Sequence, residues 1–157
     1  MTHTCRNFVG AKIALFIGAD VLVLHRDDRP GLLWAGYWDL PGGGREGGES
    51  PMDCVLRETF EEFALTLVRD DLVWARSYSN SMGQTVWFFV GQRPAYVRAQ
   101  VRLGGEGQGW GLMTPEVFLG HDRVVPQFKE RLRDYRAGVA GTVLVERPPA
   151  MVSSGGR

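Results

Sequence analysis

Three glutamates, Glu58, Glu61 and Glu62, stand at i, i+3 and i+4 in the run PMDCVLRETFEEF. On a helix, at about 100° per residue, they share an arc of roughly 100°. Met52, Val55, Leu56, Thr59, Phe60 and Phe63 form the opposite side, apolar apart from Thr59. Like charges at these spacings repel, each pair costing a few tenths of a kcal/mol, and the C-terminal end of a helix dipole disfavours them further. No lysine or arginine is spaced to pair with all three. A divalent cation would neutralise the cluster, and ligands that are all oxygen point to Mg²⁺ or Mn²⁺ before zinc. The plain alternative is a solvated acidic helix face.

The residues upstream decide between the two. From Gly43 to Leu65 the chain reads GGREGGESPMDCVLRETFEEFAL, which resembles the Nudix box, G-x5-E-x7-R-E-U-x-E-E-x-G-U with U a bulky aliphatic residue. Gly43, Glu49, Arg57, Glu58, Glu61, Glu62 and Leu65 fall on its fixed positions, while Thr59 replaces the aliphatic residue and Ala64 the glycine. Thr59 lies on the core side, where its hydroxyl can bond back to a carbonyl one turn earlier. Ala64 gives up the easy left-handed geometry of glycine, at about 1 kcal/mol or a shifted helix end.

The resemblance implies an α/β fold, the Nudix α/β/α sandwich with a mixed sheet, whose loop–helix–loop binds metal and a diphosphate. Carried over by position, the Gly42 carbonyl, Glu58, Glu61 and Glu62 would surround Mg²⁺ or Mn²⁺. Arg57 would orient the carboxylates and Glu49 would brace the loop. Gly42, Gly43 and Gly44 would let backbone approach metal and phosphates. Water would attack a phosphorus of a nucleoside diphosphate linked to another group, with Glu58 or a downstream glutamate taking its proton. Further on, GGEGQGWGLMTPEVF resembles the segment of MutT-type members in which a glutamate before Gly-Gln is a further metal ligand or the base; here that residue is Glu106.

These residues need elements to hold them. Lys12 to Gly18 and Val21 to Arg26 read as a hairpin, and LLWAGYWDLPGGG as a short strand entering a glycine turn. Ser50-Pro51 opens the acidic helix as N-cap and first helical residue. Leu72 to Tyr78, Thr85 to Gly91 and Tyr96 to Leu103 read as strands, with Trp110 to Met113 a short extended piece. Thr114-Pro115-Glu116 starts a small helix, and Val125 to Arg136 a longer basic one. We expect a single domain over residues 1–145 and a disordered tail over 146–157, rich in Pro, Gly and Ser.

Candidates for the rest of the substrate are weaker. Trp34, Trp38, Trp87 and Phe89 could stack on a base, with core packing as the plain alternative for each. Gln127 could read a base edge, or simply start a helix. Arg123, Lys129, Arg131, Arg133 and Arg136 could steer polyphosphate or form a solvated face. His3, His25 and His121 are isolated, and Cys54 reads as a small half-buried thiol.

Composition bounds the partner. Among 157 residues, 18 Lys plus Arg balance 18 Asp plus Glu, which argues against a nucleic-acid polymer and leaves a single nucleotide open. The 21 glycines are nearly twice the ordinary share of about 7%. Two cysteines, no leader pattern and no long apolar run lead us to expect a cytoplasmic chain with no membrane partner, as a monomer or a homodimer. The resemblance implies hydrolysis of a nucleoside triphosphate to monophosphate and pyrophosphate, with an oxidised purine as the natural guess. An ADP-ribose or nucleotide-sugar pyrophosphatase, or a non-catalytic nucleotide sensor, are the alternatives.

Overall fold

Alternation decides how the first strand sits. In the computed structural model, which describes residues 7–142, β1 (Phe8–Ile17) turns Ala11, Ile13, Leu15 and Ile17 to one side of a sheet and Ala14 and Phe16 to the other. The chain turns at Gly18, in left-handed backbone, and returns as β2 (Asp20–His25). β2 pairs antiparallel with β1 and splits its apolar residues in the same way, Leu22 and Leu24 against Val21 and Val23. β6 (Thr85–Arg93) lies parallel to β1, and β5 (Leu72–Ser79) antiparallel to β6. Short strands β3 (Trp38–Asp39) and β7 (Gly109–Met113) both pair with β2, and β4 (Gly42–Gly44) with the start of β1. The result is one mixed sheet of seven strands, ordered β3-β2-β1-β6-β5 along its main path.

Each face buries its own apolar set. Helix α1 (Pro51–Phe63) covers the side of Ile13, Leu15, Trp87 and Phe89. Helices α2 (Pro115–Gly120) and α3 (Pro126–Arg136) cover the side of Ala14, Val21, Val23, Phe88 and Val90. This is the α/β/α sandwich the resemblance implies. Capping is as the sequence suggests: Ser50 accepts from the Asp53 amide at 3.0 Å, and Thr114 from that of Val117 at 3.1 Å. No helix among the described residues is long and apolar enough to cross a membrane.

Three expectations change. Tyr96 to Leu103 is not a strand; Ala95–Gln100 is a 3-10 helix entered from Pro94. Val97 and, just after the helix, Val101 are buried while Ala99 between them is exposed, which breaks the alternation of a half-buried strand. On α1 the apolar side is shifted, because Phe60 is 55% exposed while Cys54 is fully buried and not half-buried. The stretch before the glycines contributes only the two-residue β3, since Trp34 adopts φ +55° and turns the chain. Cys5, His3 and the proposed tail lie outside the described residues.

Candidate active site

The acidic residues of α1 point toward the glycines of β4. Arg57 organises the first of them. Its guanidinium clamps Glu49 with two donors, Nε to Oε2 and Nη2 to Oε1 at 3.1 Å, and Nη1 reaches Glu58 at 3.3 Å and Glu61 at 3.1 Å. Nη2 also donates to the Gly44 carbonyl at 2.9 Å, tying helix to loop. Glu49 accepts a further bond from the Glu46 amide at 2.9 Å. The hydrogen bond from Arg57 holds the Glu49 carboxyl below its ordinary range, and the same bond raises Arg57, so the pair stays charged.

Glu58 and Glu62 have the opposite tendency. Burial raises Glu58 above the usual carboxylate range despite Arg57, and pushes Glu62 up to about 7. Glu62 is turned to the loop, where its Oε1 accepts from the Gly42 amide at 2.9 Å. Glu61 is half-exposed. Close approach explains the loop glycines: a Cβ on Gly43 would lie 2.6 Å from a Glu58 carboxylate oxygen, and one on Gly42 would overlap the Ala11 carbonyl of β1. Beneath the loop the Cys54 thiol, pushed up to about 12 by burial, stays protonated and donates to the Gly43 carbonyl at 3.6 Å.

A cationic wall faces this helix, and sequence reading missed it. Lys12 Nζ donates to Asp39 Oδ1, the Leu40 carbonyl and the Gly42 carbonyl, each at 3.1 Å. Arg26 donates to the other Asp39 oxygen at 2.8 Å. The signal was present: Lys12 is the lone charge in FVGAKIALFI, and Asp39 lies between Trp38 and Leu40 just before the glycines. Only the pairing of β1 with β4, and of β2 with β3, brings them together.

Glu106 arrives on a loop pinned at both ends. The Gly104 amide donates to the Glu62 carbonyl at 2.8 Å, and the Gln108 amide to the His25 carbonyl at 2.7 Å. Gly104 has no room for a Cβ against the Glu61 carbonyl, nor has Gly107, at φ +91°, against Leu24. Part of the glycine excess is therefore accounted for here. Glu58, Glu61, Glu62 and Glu106 line one cavity of about 590 Å³ with Gly42, Gly43, Gly44, Lys12 and Arg26.

Among the described residues no three acidic, histidine or cysteine side chains already converge as a metal cluster. Glu58 and Glu61 are held by Arg57, Glu62 by the Gly42 amide, and the Gly42 carbonyl by the Lys12 ammonium. The residues nonetheless fit a hard divalent cation. Every available donor is oxygen, the carboxylates share one cavity, and two of them are raised by a burial that a cation would offset.

Two smaller pockets continue the cavity. One, of about 260 Å³, shares Lys12, Gly43 and Gly44 with it and is walled by Val9, Val86, Phe128, Gln127 and Arg131. The other, of about 160 Å³, shares Leu24, Arg26 and Glu106 and adds Arg29. Gln127 is thus placed beside the glycine loop. Phe89, fully buried between the sheet and α1, is not available to stack on a base; Trp87, 1% exposed and packed on the same side, also borders the pocket of about 260 Å³. Trp38 is stacked on His25 at 4.4 Å, and Trp34 leans on Tyr37. Of the basic residues near α3, Lys129 donates to the His121 carbonyl, Arg133 to that of Leu119 and Arg136 to Glu116, while Arg123 lies over Tyr37.

Comparison with known proteins agrees with this architecture. Residues 7–135 match the family model described as NUDIX domain. A curated RNA pyrophosphohydrolase of Bartonella quintana (strain Toulouse) is 30% identical over 67 residues, which span 43% of this chain and only 32% of that protein. Among solved structures, a MutT protein from Methanosarcina mazei Go1 superposes with a TM-score of 0.66 at 24% identity, covering 84% of this chain and 95% of that one. A C. elegans Ap4A hydrolase binary complex gives 0.64 at 19% identity, covering 82% and 96%. At these identities the two structures establish the shared fold alone.

Proposed function

Because this chain belongs to the Nudix family, we propose that it is a pyrophosphohydrolase that cleaves a nucleoside triphosphate to monophosphate and pyrophosphate with Mg²⁺ or Mn²⁺. The observation that carries this reading is a set of three neighbouring pockets that share wall residues. An apolar pocket opens at Gly43 and Gly44 into the carboxylate-lined cavity, which runs on past Arg26 toward Arg29. A base would occupy the first, the phosphate chain the second, and the departing pyrophosphate the small third pocket. Arg26 and Arg29 on its wall offer donors to terminal phosphates.

Glu58, Glu61, Glu62 and Glu106, with the Gly42 carbonyl, would hold the cation. When bound, it supplies charge neutralisation on the phosphate oxygens and a lowered pKa for water. Arg57, fixed by Glu49, keeps Glu58 and Glu61 oriented by charge-assisted bonds. Lys12 and Arg26 face the phosphates from the opposite wall. Glu58 or Glu106 accepts the proton of the attacking water; comparing the pH–rate profiles of Glu58→Gln and Glu106→Gln identifies which, because only loss of the base removes the acidic limb. Gly43 and Gly44 let the substrate lie against backbone.

The test is product analysis by chromatography after incubation with a panel of nucleoside triphosphates (monophosphate plus pyrophosphate), ADP-ribose (AMP plus ribose 5-phosphate), Ap4A (ATP plus AMP) and a 5′-triphosphorylated RNA, with and without Mg²⁺. We expect cation-dependent release from free triphosphates and a loss on the order of a hundredfold or more in Glu62→Gln. Faster turnover of ADP-ribose, Ap4A or the RNA end would reassign the substrate. No activity on any member would defeat the enzymatic reading and leave a nucleotide sensor.

A further inference from the structure

One buried cation of the groove has neither a hydrogen-bond acceptor nor an ion-pair partner among the described residues. It is Arg131 on α3, only 8% exposed; the Tyr78 hydroxyl and, less strongly, Glu130 act on it from a distance. Two rings hold it instead. Its Cζ lies 4.8 Å from the Tyr78 ring centre and 5.9 Å from that of Phe128. The Tyr78 ring is itself fixed, since its hydroxyl donates to Asp134 at 2.8 Å. Burial pulls the Arg131 pKa down, while none of its nitrogens is both fully buried and unpaired, so its donors stay open to a ligand. Elsewhere around α3, Arg133 and Arg136 have acceptors of their own.

Arg131 lines the apolar pocket that opens at Gly43 and Gly44, one helical turn after Gln127 and on the same face of α3. Walls such as Val9, Val86 and Phe128 suit a flat heterocycle better than a phosphate, which would need several donors. Of the four polar residues that line it, Lys12 is bonded to Asp39 and Asn80 to Gln84, and the two on α3 differ in what they can discriminate. Gln127 can turn its amide to present either a donor or an acceptor. Arg131 has only donors, in a rigid fork, and never accepts. Its complement is a pair of adjacent acceptors. Guanine offers that pair at N7 and O6, whereas adenine replaces O6 with an amino donor. Oxidation of guanine at C8 moves a hydrogen onto N7, which then faces a donor with a donor.

We propose that Arg131 is a specificity-determining residue that selects guanine, through its N7 and O6 acceptors, over adenine and over 8-oxoguanine. This reverses the expectation of an oxidised purine. It rests on the reading of the groove as a nucleotide site, with the base in the apolar pocket, and does not require turnover.

Equilibrium binding therefore tests it separately from catalysis. GMP, AMP, CMP and 8-oxo-GMP are titrated calorimetrically into the wild-type chain, Arg131→Met and Arg131→Lys. GMP should bind about tenfold or more tighter than the others, and the preference should collapse in both variants. Arg131→Lys keeps the charged stem between the rings and loses only the fork, so it serves even if Arg131→Met fails to fold. Equal binding of GMP and AMP, a preference for any other member, a GMP preference that survives in a folded variant, or no binding at all would each overturn the proposal. Guanine selectivity without triphosphate hydrolysis would leave Arg131 standing and remove the hydrolase reading. Equal turnover of GTP and ATP, with equal binding of GMP and AMP, would do the reverse.

Discussion

Glu62 carries opposing demands from folding and from function. Its carboxyl is buried against the Gly42 amide, and burial raises it from the ordinary 4.5 to about 7. The folded state therefore holds the proton more tightly than the unfolded chain. That contribution to stability is fully present below pH 4.5 and is lost as pH rises through about 7. Without a divalent cation, the protein should lose up to about 3 kcal/mol across this window from Glu62 alone. Thermal melts in chelator should show it, and Glu62→Gln should flatten the profile while abolishing activity. A Glu62→Gln profile identical to wild type would show that the buried charge carries no such cost. Thr59 is the reverse case, a departure from the box that the structure absorbs: its hydroxyl donates to the Val55 carbonyl at 2.7 Å in a fully buried position.

Helix α1 ends where the box ordinarily has glycine. Ala64 takes φ +57° there and its amide closes on the Phe60 carbonyl at 2.8 Å, so the left-handed turn persists and the alanine bears the strain. Ala64→Gly should stabilise the fold by about 0.5–1 kcal/mol, raising Tm by about 1–4 °C. Chemical denaturation measures this; a destabilised variant would mean that the entropy glycine adds to the unfolded chain exceeds the relief of strain. The element's other end needs no such compromise, since Ser50 caps it and Pro51 follows. The loop after the helix keeps its form because Gly104 packs on the helix carbonyls, which brings Glu106 opposite the α1 acids.

Across the whole molecule the formal charge is zero, but its distribution is not even. Six acids and one arginine occupy Glu46 to Glu62, while Asp122 to Arg136 carries five bases among three acids. Those bases are largely committed to local partners and do not form a free stripe for a polyanion. An unphosphorylated RNA of mixed sequence should therefore not inhibit nucleotide turnover at about 0.15 M salt. Inhibition that fades steeply as salt rises would contradict this.

How far the sequence reached follows from the range of each interaction. Short fixed spacings, as in Arg57-Glu58 and Glu61-Glu62 after Ser50-Pro51, place side chains on one helix by local geometry alone, so the acidic face and its caps were legible. Alternation in β6 put Trp87 and Phe89 on a common face, but nothing local says which face of a strand is roofed by a helix; α1 covers theirs. Lys12, Asp39 and Arg26 come from different strands, and only strand register makes them one wall. By sequence Arg131 is one of four bases on a basic helix. Its isolation from every acceptor depends on Tyr78 and Phe128 closing around it, which is a fact of packing across elements that chain spacing cannot encode.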